Sequence, residues 1–433
     1  MTHLRFPVMV HGFFDMGDFS QGAQAAVDQC THALRVALDR TAAQAVQLGR
    51  RGGSDLDLTL TPEEEQFRTE LRAWLEKNHP GPEPEGAEES FQFRRAWQRR
   101  MQQDRYAGLT WPEEYGGRGA TLMQSAIFNE EMVRAKVPSA ANVLGLVMGG
   151  PVVIAHGTDE QKRRFLEPIL SADEIWCQGF SEPDAGSDLA SLKTRATKVD
   201  GGWKISGQKV WTSFAHNAKW CMLLARTDSE AKKHEGITYF LMDMDQKGVE
   251  ARPLRQLTGE SEFNEVFIDD AFVPDENVVG KPGQGWMVAI TTLALERAGL
   301  SLGSAVAIKI QLRELAEMIR ELGKDRDPAV RQKFGELCVK AETMRLNGAR
   351  GLSQVIQHGV PGPEGSLVKI QWAEINQAMT EFAVGVRGVE GLLTDTPWSY
   401  RLLRARANSI EGGTSEIQKN ILAERVLMLP RLR

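Results

Sequence analysis

The chain has 433 residues, of which 42% are hydrophobic and 25% are charged. This composition is ordinary for a globular protein, and the length predicts two or three domains of roughly 100–200 residues each. The net charge of −6 argues against a large basic face for nucleic acid or an anionic membrane. The cysteines are far apart in sequence and the histidines lack ligand spacing, so we expect free thiols and no metal site.

The ends and the apolar stretches of the chain predict a soluble, cytoplasmic protein. The N-terminus has no clear apolar core of a signal peptide, and Asp15 and Asp18 are untypical of a transit peptide. The longest apolar stretch, from Met287 to Ile308, is interrupted by Glu296 and Arg297, which argues against a membrane span. We interpret it as a buried helix that carries a charged pair.

The hydrophobic pattern changes twice along the chain. A strong helix start lies at Thr61, Pro62 and Glu64, where a capping box precedes helical periodicity. Short alternating segments separated by turn residues then predict strands, and helical periodicity returns afterwards. This order predicts a mostly α fold with a central β domain. The predicted domains are an extension of unknown role (1–56), an N-terminal helical domain (57–175), a middle β domain (176–285) and a C-terminal helical domain (286–433).

The β block opens with a loop of small and hydroxyl-bearing residues, QGFSEPDAGSD, from Gln178 to Asp188. Free backbone N–H groups in such a loop can approach a polar ligand closely. A plain polar turn would have a similar composition, so the loop alone leaves both interpretations open.

Part of this loop resembles a signature of the acyl-CoA dehydrogenases, and further segments resemble that family in the same order. The matching segments are GLTWPEEYGG at 108–117, SEPDAGSD at 181–188, GQKVWTS at 207–213, FNEVF at 263–267 with GQGW at 283–286, and RANSIEGGTSEIQ at 406–418. Together they span about 57–430. The resemblance implies an N-terminal α-helical domain, a middle β-barrel or sandwich, and a C-terminal four-helix bundle.

The resemblance also implies FAD, an acyl-CoA thioester substrate and α,β-dehydrogenation, with electrons passed to an electron-transfer flavoprotein. A homodimer, a homotetramer and a heterotetramer all suit the family. The reaction removes a weakly acidic proton beside the thioester carbonyl while a hydride leaves the β-carbon. Such chemistry needs a carboxylate whose basicity is increased by burial, and a flavin to accept the hydride, because no side chain can.

The implied cofactor site has parts from four regions of the chain. The predicted flavin contacts are Gln178, Phe180, Ser181, Gly186, Ser187, Trp211, Thr212 and Ser213, with Thr414 and Glu416 in the C-terminal segment. Ser187 also lies near the substrate in the family. Arg331, in RQKFG, resembles the arginine that reaches the FAD diphosphate of a neighbouring subunit. Without the resemblance, Trp211 would be interpreted as a core aromatic of a strand, and Arg331 as an exposed helical residue.

Two glutamates compete for the role of the base. Many members of the family place the base in the C-terminal loop, but Glu411 is followed by two glycines before Thr414, which displaces it by one residue. Other members place the base on a helix directly before an arginine, as Glu296 and Arg297 stand here. We prefer Glu296 because an ionisable pair that interrupts an apolar helix is often functional. Arg297 then orients the substrate or the neighbouring backbone.

Two other functions fit the same sequence. A flavin oxidase or monooxygenase could use this fold with oxygen as the acceptor. A non-catalytic or half-site subunit of a heteromeric dehydrogenase is the other alternative, and the two glutamates together with the intact loop from Ser181 to Asp188 argue against it.

Overall fold

The computed structural model describes residues 60–299, 302–358, 362–363, 365–393 and 396–430, and of 296–299, 302 and 354–358 it describes the backbone alone. The predicted extension at 1–56 lies outside these residues. The described chain runs from a helical block through a sheet to a second helical block. The helices of the first block are α1 (Pro62–Asn78), α2 (Ala87–Gln103), α3 (Leu122–Arg134), α4 (Gly150–His156) and α5 (Asp159–Ser171).

Helix α1 begins as its sequence predicts. The Thr61 hydroxyl accepts a hydrogen bond from the Glu64 N–H at 3.3 Å, and the Thr61 N–H donates to the Glu64 carboxylate at 2.9 Å. This capping box satisfies two backbone donors that the first turn leaves without partners. Phe67, Leu71 and Leu75 follow at four-residue spacing and are all buried, so one face of α1 packs into the core.

The middle of the chain forms one eight-stranded sheet in the described residues. Its strands are β1 (Trp176–Gly179), β2 (Arg195–Val199), β3 (Gly202–Ser213), β4 (Trp220–Arg226), β5 (Ile237–Asp243), β6 (Val249–Pro253), β7 (Phe263–Pro274) and β8 (Val278–Val279). The strand order is β6-β7-β3-β2-β4-β5-β8, and β1 pairs with β4 in parallel. Strands β4 and β5 are buried over nearly their whole length, as their continuous apolar sequences require.

Strands β1 and β4 bring together two cysteines that are far apart in sequence. Cys177 and Cys221 are register partners, and both are buried as free thiols. Burial, together with the neighbouring Cys221, raises the pKa of the Cys177 thiol. Both thiols therefore behave as small apolar groups inside the sheet.

The second helical block contains α6 (Gly285–Gly299), α7 (Leu302–Glu321), α8 (Pro328–His358), α9 (Gly365–Arg387), α10 (Pro397–Ala405) and α11 (Ser415–Arg425). Helices α7, α8 and α9 share a core in which Leu315, Met344 and Met379 are wholly buried. Helix α6 instead contributes Val288 and Ala289 to the core shared by the first helices and the sheet. The helix that carries Glu296 is thus anchored to the sheet.

The helix–sheet–helix order predicted from the sequence is confirmed, whereas the domain boundaries at 175/176 and 285/286 stay predictions. The stretch from Met287 to Ile308, predicted to be buried, is not buried throughout, because Met287 and Ile290 on α6 are 65% and 43% exposed. In the described part of the chain, no helix is long and apolar enough to cross a membrane.

A tight contact in the first block generates a stability prediction. Gly150 begins α4, and a Cβ on it would lie 2.0 Å from Cζ2 of the buried Trp111. We expect Gly150→Ala to lower the free energy of unfolding by about 1–3 kcal/mol through overpacking, measured from the urea midpoint. The control is Gly335→Ala in α8, where a Cβ meets nothing within 4 Å. It should stabilise the helix by about 0.5–1 kcal/mol, and equal stability of the two variants would contradict this packing.

Candidate active site

The structure brings together the first two predicted flavin segments. The loop after β1 lies beside the end of β3, because the Val210 N–H donates to the Ser181 carbonyl at 2.9 Å. Ser181 is half-buried, while Gly186 and Ser187 are exposed at the surface of the loop. A Cβ added to Gly186 would meet nothing within 4 Å, so the space beside this loop is open.

A buried ion pair holds these two segments together. Lys209 of β3 is wholly buried, and its Nζ lies 2.8 Å from Oε1 of Glu182 and 3.0 Å from the Phe180 carbonyl. The Glu182 carboxylate also accepts the backbone N–H groups of Lys193 at 2.6 Å and Thr194 at 2.9 Å. Every polar atom of the pair therefore bonds within the loop or its neighbours.

The burial of this ion pair and the contact between its two members shift the pKa values of both residues. Burial alone would raise the pKa of Glu182, but the Lys209 ammonium and the hydrogen bonds outweigh it, so the pKa lies below the usual value. Burial lowers the pKa of Lys209, against the attraction of Glu182. The sequence analysis did not predict a role for either residue. Their positions could have indicated one, because Glu182 lies in the matching segment SEPDAGSD and Lys209 lies in the matching segment GQKVWTS.

Trp211 is 62% exposed, which excludes the alternative of a core aromatic in a strand. Its backbone has a φ of +59°, in the left-handed region, and the β3–β7 register shifts between Lys209 and Thr212. Such a bulge redirects a side chain at a cost in backbone strain, and both features are common at functional sites. The exposed indole beside an open, hydroxyl-rich loop fits a planar aromatic ligand such as the flavin ring.

The remaining residues of these segments differ in exposure. The Phe180 ring is buried and packs edge-on against Tyr239, with ring centroids 6.0 Å apart, so it serves the core. Thr212 is also buried, and its hydroxyl has no hydrogen-bond partner within the described residues. Gln178 and Ser213 are half-buried at the ends of β1 and β3.

In the C-terminal loop, Glu411 is tied to neighbouring side chains. Arg404 donates to both carboxylate oxygens, at 3.2 and 3.0 Å, and the Asn408 amide donates to Oε1 at 2.6 Å. Gly412 and Gly413 both have positive φ, at 63° and 89°, so the additional glycine is accommodated by a left-handed turn. Glu411 therefore takes part in a fixed hydrogen-bond network.

Arg404 links this loop to the sheet through Glu262. The Arg404 guanidinium lies 3.6 Å from the Glu262 carboxylate, and the Glu262 carbonyl accepts the Phe214 N–H at 2.7 Å. The third predicted segment is thus connected to the residue that follows Ser213. The structure brings together the two flavin segments and the C-terminal loop.

The other predicted candidate for the base, Glu296, lies on α6. Its side chain and that of Arg297 lie outside the described residues. Two side-chain contacts fix the preceding turn of the helix: Nε2 of His156 lies 2.9 Å from the Thr291 hydroxyl, and the hydroxyls of Tyr239 and Thr292 are 3.3 Å apart. Burial lowers the pKa of His156, which favours its neutral form.

Three predicted cofactor residues lie in the second helical block. Arg331 is exposed in the first turn of α8 and donates to the Asp325 carbonyl at 3.4 Å. Thr414 caps α11, where its hydroxyl accepts the Ile417 N–H at 3.2 Å, and Glu416 is exposed in the first turn. No cluster of potential metal-ligating side chains is found among the described residues. The cofactor roles of Arg331, Thr414 and Glu416 stay predictions.

This fold and this site define a flavoenzyme of the acyl-CoA dehydrogenase class, and the chain belongs to the acyl-CoA dehydrogenase family. Sequence models of the family match the N-terminal domain at 61–173, the middle domain at 177–271 and the C-terminal domain at 283–427. The protein is an enzyme of this family and depends on FAD.

Its relatives include proteins of known structure. The chain is 41% identical over 391 residues to the acyl-CoA dehydrogenase IpdE1 of Mycolicibacterium smegmatis. The aligned region covers 85% of this chain and 98% of the relative. It is similar to a chain of the ChsE4-ChsE5 complex from Mycobacterium tuberculosis, with 30% identity and a TM-score of 0.76. The match covers 87% of this chain and 100% of the other chain. Its similarity to the Tcur3481-Tcur3483 steroid ACAD has 28% identity, a TM-score of 0.76 and the same coverage.

The environment of Glu262 generates a prediction about pH. Burial raises the pKa of this carboxyl, Arg404 opposes the shift, and Glu260 and Glu411 add to it. The contribution of Glu262 to stability is therefore fully present below its unfolded pKa, and it is lost as the pH rises through the higher folded pKa. Glu262→Gln, which stays neutral, should melt at a higher temperature than the wild type at neutral pH.

The difference in melting temperature should shrink as the pH falls towards about 4, where the wild-type carboxyl is also becoming protonated. Differential scanning fluorimetry across this range measures it. Glu235→Gln, at an exposed position before β5, is the control and should show no difference. A Glu262→Gln variant that melts below the wild type at neutral pH would mean that the Arg404 pair outweighs the burial.

Proposed function

We propose that the protein catalyses the α,β-dehydrogenation of an acyl-CoA thioester and passes the electrons to an electron-transfer flavoprotein. The observation that carries this proposal is the exposed Trp211 on a strained bulge, beside the open loop from Ser181 to Ser187. FAD, when bound, supplies the acceptor for the hydride that leaves the β-carbon. The residues of the chain hold the cofactor and the substrate, and they remove the α-proton.

The flavin site that we propose uses the residues predicted from the family. Trp211 packs on the flavin ring, and Ser213 donates from its hydroxyl. Phe180 contributes through its backbone, since its ring fills the core. The other proposed contacts are Gln178, Ser181, Gly186, Ser187, Thr212, Thr414 and Glu416, with Arg331 directed to the cofactor of a second subunit.

We assign the catalytic base to Glu296. A base must face the substrate, whereas both oxygens of Glu411 accept hydrogen bonds from Arg404, and Asn408 adds a third. These bonds hold the carboxylate in one orientation, towards Arg404 and Asn408. Glu296 instead follows the fixed turn at Thr291 and Thr292 on α6, and we assign Arg297 to the orientation of the substrate.

A second candidate is a subunit of a heteromeric dehydrogenase. The engagement of Glu411 by Arg404 favours it, because a chain whose loop glutamate is not free could share its active site with a partner. Similar solved structures include the ChsE4-ChsE5 complex, which contains two kinds of chain. Purification without a partner distinguishes the two candidates, since a yellow protein that turns over alone is not a half-site subunit.

The direct test is a panel of acyl-CoA esters with a dye acceptor. The panel includes straight-chain and branched esters, and also steroid-derived esters because a similar structure is a steroid ACAD. At least one ester should bleach the bound flavin under anaerobic conditions and support reduction of the dye. Full retention of flavin colour with every ester would refute the proposed reaction.

The assignment of the base is tested with Glu296→Gln and Glu411→Gln, using the best ester of the panel. Loss of a general base lowers the rate by about 10²–10⁴-fold. We expect a loss of this size for Glu296→Gln and a loss of less than about tenfold for Glu411→Gln, since the latter keeps its partners in hydrogen-bonding reach. Stopped-flow absorbance of the flavin measures both rates. The reverse ranking, at equal flavin content, would assign the base to Glu411.

A further inference from the structure

Lys209 is a buried cation with two different partners in the loop after β1. One is the Glu182 carboxylate at 2.8 Å, and the other is the Phe180 carbonyl at 3.0 Å. The carboxylate compensates the charge of the lysine, which burial would otherwise make costly. The bond to the carbonyl has a separate consequence, because it fixes the direction of one peptide group.

The peptide between Phe180 and Ser181 is trans, since no cis bond occurs among the described residues. In a planar trans peptide the C=O and the N–H point in opposite directions. The carbonyl of this peptide points to Lys209 in the interior, so the Ser181 N–H points away from the interior. This N–H has no acceptor within the described part of the chain, and Ser181 itself is half-buried.

The neighbouring backbone groups of the loop are already paired. The Ser181 carbonyl accepts the Val210 N–H at 2.9 Å, and the N–H of Glu182 donates to the Ala185 carbonyl at 3.0 Å. The Ser181 N–H is therefore an unpaired donor that points away from Lys209. The same loop has open space at Gly186, and Trp211 is exposed at the end of β3.

We propose that Lys209 is a positioning residue for the flavin, because it orients the Phe180–Ser181 peptide so that the Ser181 N–H donates to the ring. This inference rests on the proposed flavin site. Glu182 has a different role, since it compensates the charge of Lys209 and holds the backbone at Lys193 and Thr194. The two members of one ion pair thus separate into a cofactor-orienting residue and a fold-stabilising residue.

Two single variants separate these roles. Lys209→Met and Glu182→Gln both break the ion pair and should both lower the melting temperature, since each leaves a buried charge without its partner. Only Lys209→Met removes the donor to the Phe180 carbonyl. We expect FAD to dissociate at least about tenfold faster from Lys209→Met, because the loss of one hydrogen bond from a charged group changes an equilibrium by about this factor. From Glu182→Gln, FAD should dissociate at close to the wild-type rate.

The measurement is the rise in flavin fluorescence after dilution of the full-length holoprotein, together with the visible spectrum of the bound flavin. The double variant Lys209→Met/Glu182→Gln should regain much of the melting temperature and still release FAD quickly. Lys204→Met, on the same strand but paired with Asp270 at the surface, is the matched control and should leave FAD release unchanged.

The outcomes are distinguishable. Equal acceleration of FAD release in Lys209→Met and Glu182→Gln, in step with their melting temperatures, would overturn the inference, because a structural role alone predicts it. If Lys209→Met fails to fold, slow release from Glu182→Gln beside fast release from the double variant still supports the inference. A wild-type protein that holds no flavin would instead refute the proposed function.

Discussion

The site depends on a buried ion pair between Lys209 and Glu182. Without the ion pair, the loop after β1 and the end of β3 would keep the backbone hydrogen bond from Val210 to Ser181. They would lose the bonds from Lys209 to the Glu182 carboxylate and to the Phe180 carbonyl. A buried pair contributes little net stability, because desolvation offsets much of the Coulomb attraction. The main effect of this ion pair is on orientation. It fixes the directions of the backbone groups in a loop whose small residues would otherwise allow several conformations.

Around this ion pair, two parts of the second helical block have different roles. Arg404 joins the C-terminal loop to the sheet through Glu262, so Glu411 stabilises the site as a member of a network. Helix α6 is held to the rest of the fold by Thr291 and Thr292, one turn before Glu296. This arrangement gives Glu411 a fixed place in a network, whereas we propose that Glu296 moves the proton.

The sequence predicted what is local and missed what depends on strand order. The capping box at Thr61 is specified within four residues, and the alternation of block types needs no tertiary information. The neighbouring thiols of Cys177 and Cys221 arise from the pairing of β1 with β4, and no local pattern encodes this pairing. The contact of Lys209 with Glu182 likewise depends on the position of β3 beside the loop after β1. Strand alternation alone would place Trp211 in the core, because it does not predict the bulge that turns this side chain outwards; only the family resemblance predicted a ligand contact here.

The most direct test of the proposed site is a crystal structure of the holoprotein with FAD. We predict that the flavin ring covers the Trp211 indole and accepts a hydrogen bond from the Ser181 N–H, while Lys209 keeps its bonds to Phe180 and Glu182. A flavin bound elsewhere, with Trp211 still exposed to solvent, would contradict the site and the role given to the buried ion pair.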